Sequence, residues 1–96
     1  GGENVVPTRV EAALEAHPLV ARACVVGVPD AEWGSVVAAM VVAAAGVAAA
    51  DLAEHARTSL RPAERPRHYR LVAALPRLVN GKLDRKAVLA AFTGAG

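Results

Sequence analysis

Aromatic side chains are almost missing from this sequence, with one Trp, one Tyr and one Phe in 96 residues. The core must therefore be filled by Val, Leu and Ala, and the stacking platforms that proteins use to hold single-stranded nucleic acid are absent. No groove-reading motif appears either, so nucleic acid is not an expected partner. The single cysteine, Cys24, lies within an apolar run, which excludes a disulfide framework or a thiolate metal cluster and points to a buried core thiol. No apolar run is long enough for a membrane span, since the stretch from Val36 to Ala50 is short and interrupted by Gly46. No signal-peptide pattern opens the sequence, and a cytoplasmic setting is the expectation. Also missing are a phosphate-cradling glycine loop, a serine triad and a set of metal ligands; no complete catalytic site and no metal site is expected on this chain.

What is present is 54% hydrophobic and long enough for one domain. Such a domain buries about two thirds of the surface its unfolded chain exposes. The net charge is only +2, but its distribution is uneven. Before Thr58 the bases are Arg9, Arg22 and Arg57, among seven acids. After it stand Arg61, Arg65, Arg67, Arg70, Arg77, Lys82, Arg85 and Lys86, against Glu64 and Asp84 alone. That basic half predicts an anionic partner, and a small phosphorylated ligand fits it at least as well as a polymer.

The pattern predicts an α/β (α+β) domain with a roughly three-stranded, mainly antiparallel sheet and helices packed on it. Gly1 and Gly2 can be a close-approach surface for a ligand as easily as a frayed end. Thr8 and Glu11 have capping-box spacing after Pro7, and Val10, Ala13 and Leu14 give a helix over about 8–16, ended by His17-Pro18. Residues 19–28 are β-branched and apolar on both alternating faces, which predicts a strand covered on both sides. Pro29-Asp30 turns the chain, and residues 35–42 read as a second strand antiparallel to the first. Trp33 sits in that connection, as an aromatic lid over the core edge or a ring for stacking a ligand. Asp51 and Glu54 can cap a second helix whose buried face is Leu52, Ala56 and Leu60, with His55 solvated. Pro62 and Pro66 exclude a regular helix or central strand between them. Arg65 and Arg67 then bracket a stiff proline with few packing duties, and two such guanidiniums make a phosphate clamp as readily as a solvated surface. A third strand over 68–72 leads to the last segment.

In that segment Asn80-Gly81 is the dipeptide most ready to take the positive φ of a tight turn, and Asp84 is a good N-cap for a helix over 85–92. Lys82 stands between them. A lysine so placed is either an ordinary surface lysine after a surface turn or a flexible, compact charge projected away from the body of the domain, as an anion-seeking group requires.

Taken together, Gly1-Gly2-Glu3-Asn4-Val5-Val6-Pro7, His17-Pro18, Val25 to Asp30, Trp33-Gly34, Leu75-Pro76 and Gly81-Lys82-Leu83-Asp84-Arg85 resemble, in order and spacing, the C-terminal domain of adenylate-forming enzymes. This superfamily includes acyl-CoA synthetases, peptide-synthetase adenylation domains and luciferases. The resemblance runs from residue 1 to about 92 and implies that residues 1–96 are a mobile lid on a larger N-terminal ATP-binding domain that is not in this chain. One orientation of the lid makes the acyl-adenylate and the other passes the acyl group to a thiol. By this resemblance Lys82 is the adenylation lysine, Gly1 and Gly2 let a pantetheine arm pass, Trp33 stacks on the CoA adenine, and Arg65 and Arg67 take its phosphate. ATP and CoA are then substrates, with Mg2+ bound with ATP mainly through the larger domain.

Two positions depart from the family pattern. Ala63 stands where some aryl-CoA ligases carry a second aromatic, and Arg9 stands where glutamate is common, a change taken as surface variation. The implied function is that of an ATP-dependent carboxylic acid:CoA ligase, with o-succinylbenzoate:CoA ligases among those resembled and the isolated chain inactive. Its partners are its own N-terminal domain, the acid and CoA. Asn80 to Lys86 also resembles the last motif of adenylation domains that load a carrier protein. A different class, a non-catalytic module for an anionic partner, is the remaining alternative.

Overall fold

The computed structural model describes residues 4–94. Their element order is α1 (Pro7–Glu15), β1 (Val20–Asp30), β2 (Gly34–Ala43), α2 (Ala49–Ser59), a 3-10 turn (Pro62–Glu64), β3 (His68–Leu71) and α3 (Arg85–Thr93). The sheet has three strands in the order β1-β2-β3. β1 and β2 form a long antiparallel hairpin from Val20↔Ala43 to Asp30↔Gly34, as the short connection between them predicts. β3 runs parallel to β2, from Ala38↔His68 to Val41↔Leu71, so the sheet is mixed but mostly antiparallel. A parallel neighbour needs a crossover, and α2 supplies it.

The hairpin is buried on both faces. Alternate residues go to opposite sides, as the two-residue period of a strand dictates. Val20, Ala23, Val25, Val37, Ala39 and Val41 face one way, onto Val10 and Leu14 of α1 and Leu52, Ala56 and Leu60 at α2. Cys24, Val26, Val28, Val36, Ala38 and Met40 face the other way, onto Leu75 and onto Val88 of α3. Cys24 is fully buried, and desolvation holds its thiol above the usual range. α1 and α2 thus cover one face and α3 the other.

The first helix corrects one expectation. No side chain caps α1, and Pro7 simply opens it after Val6. Glu11 does not turn back to form a capping box. Its Oε2 accepts the N–H of Val25 at 2.8 Å, and Glu15 Oε2 accepts the N–H of Ala23 at 3.0 Å. β1 is an edge strand, and its outward N–H groups need acceptors. Two glutamates four residues apart on a helix lie about 6 Å apart along its axis. Two residues along a strand rise about 6.6 Å, so the carboxylates match successive outward N–H groups.

Arg85 completes this edge from α3. Its guanidinium donates to Glu11 Oε2 at 2.7 Å, to Glu11 Oε1 at 3.2 Å and to the carbonyl of Val25 at 3.0 Å. Hydrogen bonding to the Glu11 carboxylate keeps the Arg85 pKa raised above its usual value.

His55 is also more engaged than its sequence position predicts. Its Nε2 donates to the carbonyl of Ala13 at 2.7 Å, and its ring meets His17 edge-on at 5.1 Å, which joins α2 to α1. Asp51 does help to cap α2, by accepting the N–H of Ala48 at 2.9 Å.

Candidate functional site

The connection between β1 and β2 is shaped by Asp30. Its Oδ1 accepts the backbone N–H groups of Glu32 and Trp33, each at 2.9 Å, and these bonds, that of Trp33 first, hold the carboxyl below its usual range. Gly34 follows with φ 78°, a conformation that glycine adopts without a Cβ clash. Trp33 is thereby presented 47% exposed, outside the core. The Arg67 guanidinium carbon lies 4.8 Å from the centre of its ring. A cation over an exposed indole is worth about 0.5–1 kcal/mol, which holds the ring's orientation and leaves its other face for a ligand.

A groove of about 840 Å³ runs beside this pair, lined among others by Asn4, Val5, Gly27, Ser35, Ala63, Arg65 and Arg67. Trp33 is therefore brought together with Arg65 and Arg67, which lie far along the sequence from it. Gly1 and Gly2 lie outside the described residues, while Asn4 and Val5, next along the chain, line the groove. Ala63 contributes only a methyl group to the lining.

The two arginines differ. Arg67 stacks on Trp33. Arg65, expected to have few packing duties, instead donates through Nε to the carbonyl of Leu60 at 3.0 Å and through Nη2 to that of Arg57 at 3.2 Å. These are carbonyls at the end of α2, where a cation satisfies orphan acceptors and complements the helix dipole. Arg65 is thus a fixed charge on the groove wall.

Sequence reasoning missed Glu64. It is fully buried, and its carboxylate accepts from Arg9 Nε at 2.8 Å, from the Arg61 N–H at 3.0 Å and from Arg61 Nη2 at 3.3 Å. Hydrogen bonds from the Arg61 side chain and backbone, outweighing desolvation, bring its pKa down to about 2. Arg9 is therefore not surface variation: it pairs with a buried acid and fastens α1 to the turn below the groove. The signal available in the sequence was a base in the first helix, Arg9, together with an acid, Glu64, among the arginines of 61–67.

Lys82 is not in the groove. It stands on the loop that leads into α3, which covers the other face of the sheet. The loop is closed on itself. Leu78 N–H donates to the Lys82 carbonyl at 2.8 Å, Gly81 N–H to the Leu78 carbonyl at 2.8 Å, and Asp84 N–H to the Pro76 carbonyl at 2.9 Å. Asn80 Oδ1 accepts the Lys82 N–H at 3.0 Å, and Gly81 takes φ 87°, as the Asn-Gly turn predicts. Asp84 caps α3 by accepting from Ala87 N–H at 3.0 Å. Leu78, Val79 and Lys82 are exposed at its tip.

Residues 9–82 match the AMP-binding enzyme C-terminal domain family. The chain belongs to that family. It is 41% identical over 97% of its length to ScoC, a fatty acid--[acyl-carrier-protein] ligase of Streptomyces coeruleorubidus, and covers 18% of that protein. It is also 41% identical, over its whole length, to FadD8, a medium/long-chain-fatty-acid--CoA ligase of Mycobacterium tuberculosis, and covers 19% of it. Among solved structures, a Mycobacterium tuberculosis fatty acyl CoA synthetase superposes with a TM-score of 0.89 at 32% identity, over 98% of this chain and 19% of that one. This AMP-binding enzyme C-terminal domain thus spans less than a fifth of the length of these relatives. The resemblance drawn from its glycine, tryptophan and lysine motifs holds, as does the expected fold.

Among the described residues of the domain, no three His, Cys, Asp or Glu side chains come together to hold a metal ion. No helix among them is long and apolar enough to cross a membrane.

Proposed function

We propose that this chain is the mobile C-terminal domain of an ATP-dependent, AMP-forming carboxylic acid:CoA ligase, acting on a larger N-terminal ATP-binding domain of the same protein. The observation that carries this reading is the separation of two features. Trp33, Arg65 and Arg67 share one groove, and Lys82 projects from a loop elsewhere on the domain. In one orientation Lys82 reaches the junction of the acid's carboxylate and the α-phosphate of ATP, where one anion attacks another. At an effective dielectric of about 20, a unit charge 4 Å away is worth about 4 kcal/mol there. In the other orientation the groove faces the reaction centre. Trp33 stacks on the CoA adenine by its free face, Arg65 and Arg67 meet its phosphates, and Gly1 and Gly2 border the pantetheine arm. Mg2+ travels with ATP, held mainly by the larger domain. Alone, the chain carries too little of the site to catalyse.

A second reading, loading of a carrier protein, is favoured by the similarity to ScoC, whose name gives an acyl-carrier protein as acceptor. The two readings part on the double substitution Arg65→Ala with Arg67→Ala in the full-length protein. The CoA ligase reading expects a raised KM for CoA and an unchanged KM for ATP. An unchanged KM for CoA would favour the carrier protein. Pyrophosphate release across a panel of fatty, aryl and 2-succinylbenzoic acids, with CoA added or withheld, tests the reaction itself. Acid-dependent release without thioester formation on adding CoA would count against the CoA reading.

A further inference from the structure

The Lys82 loop raises a mechanical question, because its internal hydrogen bonds close it on itself without joining it to the sheet or to α1. Residues 76–84 are linked by the bonds among Pro76, Leu78, Gly81, Lys82 and Asp84, and Arg77 Nη1 adds one to the Gly81 carbonyl at 2.9 Å. These bonds make the loop one cross-linked unit. Its apolar moorings are Leu75 at one end, the partly buried Leu83 beside Lys82, and Val88 of α3 at the other end, all packed in the cluster on that face of the sheet. Asp84 joins the loop to α3 through Ala87 and Val88, and among the described residues the hydrogen bonds that tie 76–86 to β1 and α1 are those of Arg85, three residues beyond Lys82.

We infer that Arg85, held by Glu11, is a positioning residue for Lys82, setting the lysine loop against α1 and the outer edge of β1. This rests on the adenylation role proposed for Lys82. The geometry is that of a fixed bracket. Arg85 spends both terminal nitrogens on the two oxygens of Glu11, at 2.7 and 3.2 Å, a two-point contact that fixes direction as well as distance. The same Nη1 reaches the Val25 carbonyl at 3.0 Å, while Glu11 takes the Val25 N–H at 2.8 Å, so one strand residue is gripped by both partners. Glu11 is itself buried. Its charge also neutralises Arg85.

Lysine can reach an anion from many backbone positions, but electrostatic help in a transition state depends on placement within about 0.5 Å. Without Arg85 the loop would keep only its apolar contacts and the Asp84 cap to set its direction, and misplacement by about 1 Å can cost a factor of 10² in rate.

The test uses the full-length protein and measures acyl-adenylate formation, thioester formation from supplied acyl-adenylate, and Tm. The variants are Arg85→Ala, Arg85→Lys, Glu11→Gln, Lys82→Ala and the double variant Lys82→Ala with Arg85→Ala. The expected result is that Arg85→Ala lowers kcat for adenylation by about 10- to 100-fold, leaves the KM for ATP within about 2-fold and spares the thioester step. Arg85→Lys keeps the charge, loses the two-point contact and falls in between. Glu11→Gln changes kcat in the same direction. In the Lys82→Ala background, Arg85→Ala adds nothing, since its effect passes through the lysine.

Three results would overturn the inference. Both half-reactions could slow equally in step with a fall in Tm, the KM for ATP could rise at constant kcat, or the effect could add fully to that of Lys82→Ala. Should Arg85→Ala fail to fold, Arg85→Lys and Glu11→Gln decide by the same criteria. Failure of the underlying reading looks different: Lys82→Ala itself would leave adenylation intact, and the inference would fall with it.

Discussion

Trp33 and Lys82 both stand on short connections built in the same way. In each, a side-chain oxygen accepts a backbone N–H two residues on, Asp30 to Glu32 and Asn80 to Lys82, and a glycine with positive φ, Gly34 or Gly81, completes the turn. What the two turns present is opposite. Trp33 has Arg67 against one ring face and a groove beside it, so its surroundings form a concave, partly apolar surface before any ligand arrives. Among the described residues, no hydrogen bond or ion pair reaches the Lys82 ammonium, and its neighbours Leu78 and Val79 are exposed. The difference fits the two roles proposed above, one region to bind a ligand and the other to be delivered to a reaction centre. A groove can bind by itself, whereas a bare cation on a convex tip needs a second surface to act on.

The largest expected effect separates the two regions outright. Lys82→Ala in the full-length protein lowers acyl-adenylate formation by about 10²–10³, the scale for removing one electrostatic stabiliser, while thioester formation from supplied adenylate survives. Pyrophosphate release and single-turnover thioester assays read the two steps. The groove gives the next effect. Trp33→Ala raises the KM for CoA by about 10-fold, since stacking of one base on an aromatic ring is worth about 1–3 kcal/mol, and leaves the KM for ATP alone. Equal effects on CoA and ATP would erase the distinction between the regions.

Smaller effects probe how each turn is held. Gly81→Ala forces a side chain into φ 87°, with nothing within 4 Å of the added Cβ to clash, so the cost is conformational, about 1–2 kcal/mol. A lower unfolding midpoint in denaturant measures it, and adenylation should fall more than thioester formation. Under the groove, the buried Glu64 titrates near 2 when folded, against 4.5 for the free group. A depressed carboxyl pKa gives stability that is complete above the unfolded value and is lost as pH falls from about 4.5 towards 2. Glu64→Gln should flatten that acid limb of the Tm-against-pH curve while lowering Tm at neutral pH.

Much of this was legible in the sequence because it is local or periodic. The two-sided burial of β1 and β2 follows from their apolar residues on both alternating faces. The Asn80-Gly81 turn and the Asp84 cap follow from residues whose side chains bond their own neighbours. What was not legible depends on partners far along the chain. Thr8 and Glu11 have the spacing of a capping box, but the unpaired edge of β1 offered Glu11 a better donor and Arg85, 74 residues away, a charge. The helix phase of His55 predicts a solvated ring, yet its Nε2 donates a hydrogen bond to the carbonyl of Ala13 on the neighbouring helix. Arg65 seemed free beside a proline, but the end of α2 needed a donor. The parallel pairing of β3 could not be read from a four-residue strand, because direction there is set by the α2 crossover.

The most direct measurement is a crossed comparison in the full-length protein: single-turnover adenylation and single-turnover thioester formation for Lys82→Ala and for Trp33→Ala with Arg67→Ala. The account predicts a crossed pattern, with the lysine variant failing only in adenylation and the groove variant only in CoA-dependent thioester formation. Loss of both steps in both variants, or loss of adenylation in the groove variant alone, would contradict it.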